Sequence, residues 1–221
     1  MSLPSLHHLE PVVPDAPPPD RPPEAYLPMQ HVTREIAFDP ASWDEERKQK
    51  VRQLFDNLAP EWHTRGGPER LKPTRDALER GGVRDGGIAL EIGSGTGIQT
   101  PPLVEKFDFV LSLDLSTEML ALAPPLEGAS RLRADASVLP VADDSVDVIV
   151  CVNAYLFPHE YARVLKKGGQ VVFVSTSGER TPIFLPPADV VAAMEPALAG
   201  SLKATTSRHG HAIWTVVARS S

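Results

Sequence analysis

The feature that most constrains the fold is a short apolar run that ends in closely spaced glycines. Residues 88–92 (IALEI) are followed by residues 93–97 (GSGTG). A strand that turns through glycines into a helix lets a ligand approach the backbone and presents free amides to it. The spacing is GxGxG, which departs from the GxGxxG of the dinucleotide fingerprint. The segment therefore predicts a ligand-binding turn, with a purely structural turn as the alternative.

Short apolar runs alternate with helical stretches from residue 87 onwards. This alternation predicts a parallel α/β sheet with right-handed crossovers and helices on both faces. Two β-rich runs near the end, 202–206 and 212–218, predict an antiparallel hairpin whose last strand opposes the rest of the sheet. The predicted strands before the hairpin are 88–92, 109–113, 131–133, 146–152 and 170–175, and the predicted helices are 97–106, 116–122, 158–165 and 188–198.

The first 40 residues differ in composition from the rest, because they hold ten of the 23 prolines. Proline fixes φ and removes a donor, so residues 1–40 are predicted to be an extended arm, either a mobile tail or a strap across the domain. Residues 41–86 are predicted to form a helical cap. Its first helix is expected to begin at an N-cap on Ser42 and to end at Pro60, and a second is expected over 68–80. Residues 87–221 are then the core.

Charge and cysteine content exclude several classes of protein. The 22 basic and 29 acidic residues give a net charge of −7, which argues against a nucleic-acid partner. The one cysteine, Cys151, predicts neither an internal disulfide nor a cysteine-based metal site. The sequence shows neither a membrane-spanning run nor a signal peptide, so a cytoplasmic protein without a membrane partner is expected.

Two acidic residues follow the predicted strands after the glycine turn. Asp114 ends the next strand, 21 positions after Gly93, where an acid can accept hydrogen bonds from both hydroxyls of a ribose. Asp135 follows the strand after that and is expected at the same edge of the sheet, where a carboxylate can accept a hydrogen bond from an adenine amine. For each acid the alternative is a local role, at a helix start for Asp114 and in a turn for Asp135.

Taken together, these segments resemble the class I S-adenosylmethionine-dependent methyltransferases, in the small-molecule branch similar to the ubiquinone and menaquinone enzymes. The resemblance covers residues from about 51 to 218 and depends on the order and spacing of its motifs. A further string, 55–62 (FDNLAPEW), is similar to the aromatic-rich helix that caps the cofactor in that family. The motifs are 91–97 (EIGSGTG), 114–119 (DLSTEM), 135–140 (DASVLP), 143–148 (DDSVDV) and 163–169 (RVLKKGG).

The resemblance implies a Rossmann-like fold with a seven-stranded sheet and an antiparallel C-terminal hairpin strand, and it implies S-adenosylmethionine as the cofactor. It places the glycine turn beneath the methionine moiety, Asp114 at the ribose and Asp135 at the adenine. Asn153 is expected near the sulfonium. The full set of cofactor-binding residues implied is Glu91, Gly93, Ser94, Gly95, Gly97, Asp114, Leu115, Met119, Asp135, Ala136 and Asn153.

The chain departs from the family where the acceptor is expected to bind. Only nine residues separate Asn153 from Arg163, fewer than relatives usually carry there. One wall of the acceptor pocket is therefore expected to be missing or replaced, with the proline-rich arm or a second subunit of a homodimer as candidates.

The candidate catalytic residue is His159, which lies beside the expected pocket and is of a residue type that can deprotonate a hydroxyl acceptor. A surface histidine at a helix start is the alternative. His209 and His211 lack further ligands for a metal, so no metal is expected.

The sequence thus predicts an enzyme that transfers a methyl group from S-adenosylmethionine to a small-molecule acceptor. A non-catalytic protein that binds S-adenosylmethionine or S-adenosylhomocysteine is the second hypothesis. The GxGxG spacing disfavours a nicotinamide-dependent dehydrogenase.

Overall fold

The protein is described by a computed structural model over residues 6–12, 26–62, 64, 67–198 and 202–219. Within these residues an eight-stranded mixed sheet has the order β1-β7-β8-β6-β5-β2-β3-β4. The strands are β1 (Leu6–His8), β2 (Ile88–Ile92), β3 (Phe109–Asp114), β4 (Ala129–Arg133), β5 (Val146–Val152), β6 (Leu165–Ser175), β7 (Leu202–His209) and β8 (Ala212–Arg219).

The predicted α/β class and C-terminal hairpin are confirmed. Strand β8 is antiparallel to both of its neighbours, β6 and β7, and the remaining pairs in the sheet are parallel. The predicted number of seven strands was one too low. Leu6–His8 adds a strand at the edge, parallel to β7, because Leu6 pairs with Ala204 and the ladder continues to His8.

Helices cover both faces of this sheet. Apolar residues of the strands form two clusters, one on each face, and the larger cluster includes Tyr161 of α6 and Met194 of α7. No helix of the described residues is long and apolar enough to cross a bilayer. The α-helices are α1 (Leu27–Phe38), α2 (Glu45–Trp62), α3 (Lys72–Arg80), α4 (Thr100–Val104), α5 (Thr117–Leu122), α6 (Pro158–Val164) and α7 (Pro187–Met194).

The extended structure predicted for residues 1–40 is wrong for Leu27–Phe38, which form α1. Pro28 lies in the first turn of this helix, where an amide has no intrahelical partner and its loss costs little. The inner face of α1 buries Ile36 and Ala37, and Arg34 donates a hydrogen bond to Asp189 of α7 at 2.9 Å. Residues 1–5 and 13–25, which include most of the prolines in the predicted arm, lie outside the described residues.

Helix α2 also differs from its prediction at both ends. It begins after Asp44, whose Oδ1 accepts a hydrogen bond from the backbone amide of Arg47 at 2.8 Å, so Asp44 and not Ser42 caps it. It continues through Pro60 to Trp62, because a proline so close to the end removes a hydrogen bond only from the last turn.

Strand β6 begins earlier than predicted, at Leu165 instead of residue 170. The pairing of β5 with β6 shifts register between Val146 and Val148. At this irregularity a Cβ on Gly169 would lie 2.7 Å from Leu165 Cγ and 2.9 Å from the Asp147 carbonyl oxygen. Gly169 therefore lies at a bulge inside the strand, where the predicted bounds left a gap between a helix that ends at residue 165 and a strand that begins at residue 170.

Helix α3 is tied to the sheet by a buried polar network. Asp76 is 7% exposed, and its Oδ2 accepts a hydrogen bond from Trp214 Nε1 at 2.6 Å. Arg80 donates to the carbonyl oxygen of Glu10 at 2.7 Å, just beyond β1. Because Ser207 Oγ also donates to the Leu9 carbonyl at 3.1 Å, the segment that follows β1 is fixed to both α3 and β7.

Candidate functional site

A cleft opens at the carboxyl edge of the sheet, where β2, β3 and β5 end and where the loop after β4 runs. Its empty space, counted to the open mouth, is about 1040 Å³. The polar residues along it are Arg70, Ser94, Gln99, Asp114, Asp135, Asn153, Tyr155 and Thr176. The glycine and apolar residues along it are Trp43, Val51, Phe55, Trp62, Ile92, Gly93, Gly95, Ile98, Leu113, Leu115, Met119, Ala134, Ala136, Val152, Ala154, Phe157 and Ile183.

The glycine turn forms one side of this cleft. Gly93, Gly95 and Gly97 have φ of +66°, +53° and +77°, a left-handed conformation that glycine adopts without strain. A Cβ on Gly93 would lie 3.0 Å from Ala154 Cβ, and one on Gly95 would lie 3.5 Å from Trp62 Nε1. The turn is thus shaped so that a ligand can pass close to its backbone.

Ser94 supplies an unused polar group at this turn. Its backbone amide donates to the Leu113 carbonyl oxygen at 3.0 Å, and its own carbonyl oxygen accepts from Gly97 at 2.9 Å. Its Oγ is buried without a hydrogen-bond partner among the described residues. A buried hydroxyl in that state suits a site that is completed by a polar ligand.

Asp114 holds the turn in place from the end of β3. Its Oδ2 accepts a hydrogen bond from the Gly95 amide at 2.7 Å, and its Oδ1 accepts one from the Ser116 amide at 2.8 Å. Burial raises the pKa of Asp114, although the backbone amides of Ser116, Gly95 and Leu115 oppose this effect. The two carboxylate oxygens have about four acceptor positions in total, so Asp114 can still accept a hydrogen bond from a hydroxyl donor.

Asp135 is more heavily engaged. Its Oδ1 accepts hydrogen bonds from Trp43 Nε1 at 3.1 Å and from the amide and hydroxyl of Ser137 at 2.9 and 2.8 Å. Its Oδ2 forms an ion pair with Lys48 Nζ at 2.8 Å. Burial works to raise the pKa of Asp135, but these donors, with Lys48 the strongest, hold it below the ordinary value.

Glu91 and Gly97 do not line the cleft. Glu91 is 2% exposed and lies below the turn, where its Oε2 accepts hydrogen bonds from Ser112 Oγ at 2.6 Å and Thr100 Oγ1 at 2.9 Å. Its Oε1 is buried without a partner among the described residues. Burial accordingly raises the pKa of Glu91 to about 7, against the effect of the two hydroxyls.

The remaining predicted cofactor residues do meet at the cleft. Leu115, Met119 and Ala136 line it beside the two aspartates. Asn153 lies at the end of β5 with φ of +51°, and its side-chain amide exchanges hydrogen bonds with Thr176, at 2.8 Å to Oγ1 and 2.9 Å from the backbone amide. Asn153 thereby connects the ends of β5 and β6.

Aromatic side chains from α2 and its start cover the cleft. The Phe55 and Trp62 rings meet edge-on at 5.7 Å between centroids. Trp43 lies 5.4 Å from both Tyr155 and Phe157, centroid to centroid. Asp56 of α2 accepts a hydrogen bond from Ser116 Oγ at 2.5 Å, which ties the same helix to the start of α5. The predicted cap therefore covers the site through Phe55 and Trp62, whereas the roles of Trp43 and Lys48 were not foreseen.

His159, the candidate base, is exposed in the first turn of α6 and is not among the residues that line the cleft. No group of three or more metal-binding side chains occurs in the parts of the chain that the structure describes. His63 and Arg65, which follow the aromatic-rich string 55–62, lie outside those parts. The site as described consists of glycine backbone, two aspartates, Asn153 and an apolar wall.

Comparison with known proteins finds proteins that are similar to part of this chain. The methyltransferase domain family matches residues 90–173. The biotin biosynthesis bifunctional protein BioHC of Cellvibrio japonicus is 32% identical over 147 residues, which are 62% of this chain and 29% of that protein. A demethylmenaquinone methyltransferase of Halalkalibacterium halodurans is 29% identical over 160 residues, which are 63% of this chain and 65% of that protein. The chain thus spans less than two thirds of the length of each relative.

Among solved structures, the DhpI complex with S-adenosylhomocysteine has a TM-score of 0.61 at 20% identity, covering 78% of this chain and 97% of that one. A likeness at this identity concerns the fold. The matching domain and the ordered motifs make residues 90–173 similar to methyltransferase domains, and the relatives and the fold agree with that similarity.

Proposed function

We propose that this chain catalyses the transfer of a methyl group from S-adenosylmethionine to a small-molecule acceptor. One observation carries the proposal: Asp114 lines the cleft at the end of β3, accepts hydrogen bonds from the amides of Gly95 and Ser116, and keeps acceptor capacity for a ligand. This arrangement suits a hydroxyl donor, as in a ribose, next to a turn that admits a ligand.

The other contacts follow from this placement. With the ribose at Asp114, the apolar side chains of Leu115 and Met119 border the adenine, and Asp135 and Ala136 lie at its far edge. Gly93, Ser94 and Gly95 border the methionine part, and the unpartnered Ser94 Oγ is available to it. Glu91 and Gly97 act from behind the turn: Glu91 through Thr100 and Ser112, and Gly97 through its hydrogen bond to Ser94.

The sulfonium of the bound cofactor supplies a methyl group with a good leaving group, so displacement requires alignment more than a strong base. The chain contributes an apolar wall, because Phe157 and Ile183 border the cleft. Burial raises the pKa of Tyr155 to about 12, so its hydroxyl stays protonated at neutral pH and can donate a hydrogen bond to an acceptor. Asn153 and Thr176 fix each other and give this end of the cleft a rigid polar edge.

The cleft as described has no histidine, lysine or cysteine along its lining. Its two carboxylates are assigned to the cofactor, so no side chain remains to deprotonate a weakly acidic acceptor. We therefore expect an acceptor whose attacking atom is nucleophilic near neutral pH, such as an acidic hydroxyl, a thiol or an activated carbon. The Halalkalibacterium relative, named as a demethylmenaquinone methyltransferase, supports the choice of a small apolar acceptor.

We propose that Val51 and Phe55 of α2, which line the cleft, replace the wall that the short Asn153–Arg163 stretch leaves out. We propose that the segment 41–86 acts as the cap of a core formed by 87–221. A second copy of the chain is then not needed to complete the cleft.

The function is tested by calorimetric titration with S-adenosylmethionine and, separately, S-adenosylhomocysteine, followed by transfer of a labelled methyl group to a panel of small acceptors. We expect micromolar binding of both ligands and labelling of acidic hydroxyl, thiol or activated-carbon acceptors. Binding without transfer to any acceptor class would favour the non-catalytic alternative. No binding of either ligand would contradict the proposal.

A further inference from the structure

The carboxylate of Asp135 is asymmetric in its contacts. Three donors converge on Oδ1: the indole N–H of Trp43, the amide of Ser137 and the hydroxyl of Ser137, at 2.8–3.1 Å. Among the described residues, only the ammonium of Lys48 contacts Oδ2, at 2.8 Å. A carboxylate oxygen has about two lone-pair positions, so Oδ1 is saturated and Oδ2 retains one free acceptor position.

The two donors that come from outside the core lie on either side of the start of α2. Trp43 is one residue before the cap of that helix, and Lys48 is in its first turn. Lys48 also contacts Glu45 at 2.5 Å, and its side chain is 22% exposed. Lys50, two positions further on, pairs only with Glu46, and both of those side chains are about three-quarters exposed, at 73% and 76%. Lys48 is therefore held at the cleft, whereas Lys50 lies in solvent.

We propose that Trp43 and Lys48 are positioning residues for base recognition, an inference that rests on the cofactor placement in the proposed function. Trp43 and Ser137 fix the rotation of the carboxylate by occupying Oδ1. Lys48 occupies one position on Oδ2 and leaves a single acceptor position there for the 6-amino group of adenine. A base with a carbonyl at that position brings an acceptor against an acceptor, so the pair selects an amino-purine over a keto-purine.

This arrangement also couples base recognition to the cap. Because Trp43 and Lys48 belong to the N-terminal part of the chain, the carboxylate has its recognition geometry only while the start of α2 is docked. The selectivity for the base is thus a property of the docked cap and not of the core alone.

The test compares S-adenosylhomocysteine with its deaminated analogue, S-inosylhomocysteine, by calorimetric titration of the full chain. In the unsubstituted protein we expect the adenosyl ligand to bind more tightly. Lys48→Met should reduce the ratio of the two affinities by about tenfold, since a hydrogen bond to a charged group is lost from the acceptor that reads the base. Lys48→Arg should restore most of the ratio, and Trp43→Phe should reduce it less than Lys48→Met.

Lys50→Met is the matched control, because it removes the same charge from the same helix without touching Asp135. Its ratio should equal that of the unsubstituted protein. An unchanged ratio in both Lys48→Met and Trp43→Phe, with S-adenosylhomocysteine still bound, would overturn this inference and leave the proposed function standing. An equal loss of affinity for both ligands would also overturn this inference and leave the proposed function standing, because it would indicate that Lys48 and Trp43 only stabilise the fold. Failure of the unsubstituted protein to bind S-adenosylhomocysteine would instead overturn the proposed function, and this inference with it.

Discussion

Two carboxylates near the cleft are stabilised in opposite ways. Glu91 lies below the glycine turn, at the floor of the cleft, and Asp135 lies beside the start of α2, at its rim. At the floor, Glu91 is enclosed with Thr100 and Ser112, receives two neutral hydroxyl donors and keeps one oxygen without a partner among the described residues. At the rim, Asp135 is enclosed with Trp43, Lys48 and Ser137 and receives four donors, one of them cationic. Burial raises the pKa of Glu91 to about 7, whereas the donors hold that of Asp135 below its usual value.

The difference shows that the number and charge of the donors, more than burial alone, decide whether a carboxylate stays ionised. The floor holds an acid that is half protonated near neutral pH and supports the turn through neutral hydrogen bonds. The rim holds a permanent anion that can accept a hydrogen bond from a ligand. Glu91 thus supports the glycine turn, whereas Asp135 can bind a ligand, and both acids lie at the same edge of the sheet.

The largest expected effect concerns Glu91 and the pH dependence of stability. Its folded-state pKa of about 7 lies above the 4.5 of the unfolded chain, so the folded state binds the proton more tightly. The stabilisation is complete below pH 4.5 and is lost as the pH rises through about 7. The shift corresponds to about 3 kcal/mol in the free energy of unfolding.

Glu91→Gln should remove this dependence, so that its advantage over the unsubstituted protein grows between pH 5 and pH 8 in urea-unfolding curves. Glu118→Gln, at an exposed position in the first turn of α5, is the matched control and should leave the slope unchanged. Parallel curves for Glu91→Gln and the unsubstituted protein would show that the floor acid is not the group responsible.

A second test uses the glycine turn, which lies between floor and rim. Gly93→Ala should lower the free energy of unfolding by about 2 kcal/mol, because left-handed strain of about 1–2 kcal/mol adds to a crowded contact. A Cβ there would lie 3.0 Å from Ala154 Cβ, whereas one on Gly95 would lie 3.5 Å from Trp62 Nε1, an ordinary contact distance. Gly95→Ala should therefore cost about 1 kcal/mol, from strain alone.

Both variants are compared by thermal and urea unfolding. A larger loss of stability for Gly95→Ala than for Gly93→Ala would contradict the packing described for the turn.

The smallest expected effect concerns Asp135 and the stability of the protein at acidic pH. The pKa of Asp135 is lowered in the folded state, so the anion contributes stability that is present above the unfolded value of 3.8 and is lost as the pH falls through the folded pKa. The stability that Asp135 contributes therefore changes with pH in the opposite direction to the stability that Glu91 contributes. Asp135→Asn should flatten acid unfolding below pH 4 and leave the range from pH 5 to pH 8 unchanged, as measured by circular dichroism. A changed slope in the neutral range would contradict the assignment.

Local patterns predicted much of the core. The alternation of apolar runs and helices predicted the α/β sheet, and the helix predicted from residue 116 forms with Ser116 as its cap, since the Met119 amide donates to its Oγ at 3.1 Å. These features depend on residues a few positions apart. The same reasoning brought Asp114 and Asp135 to one edge, because parallel strands place their carboxyl ends together.

Long-range contacts of polar side chains were not predictable in this way. Trp43 meets Asp135 across 92 positions of sequence, and nothing near Trp43 or Lys48 marks either one as a partner of a cleft carboxylate. Helix α1 was missed for a different reason, since the proline content of its surroundings masked a helix that its packing against α7 stabilises. The burial of Glu91 below the turn likewise depends on the hydroxyls of Thr100 and Ser112, whose meeting needs the folded sheet.

The most direct test of the cofactor site is a calorimetric titration of S-adenosylhomocysteine into the unsubstituted protein and into Asp114→Ala. Loss of this anion should weaken binding by on the order of 1.5–3 kcal/mol, because a buried ribose hydroxyl would lose a charged acceptor. Asp85→Ala, in which the removed carboxylate pairs with Lys106 and is 84% exposed, should bind as the unsubstituted protein does. Full affinity in Asp114→Ala, with the fold intact, would contradict the ribose site at the end of β3.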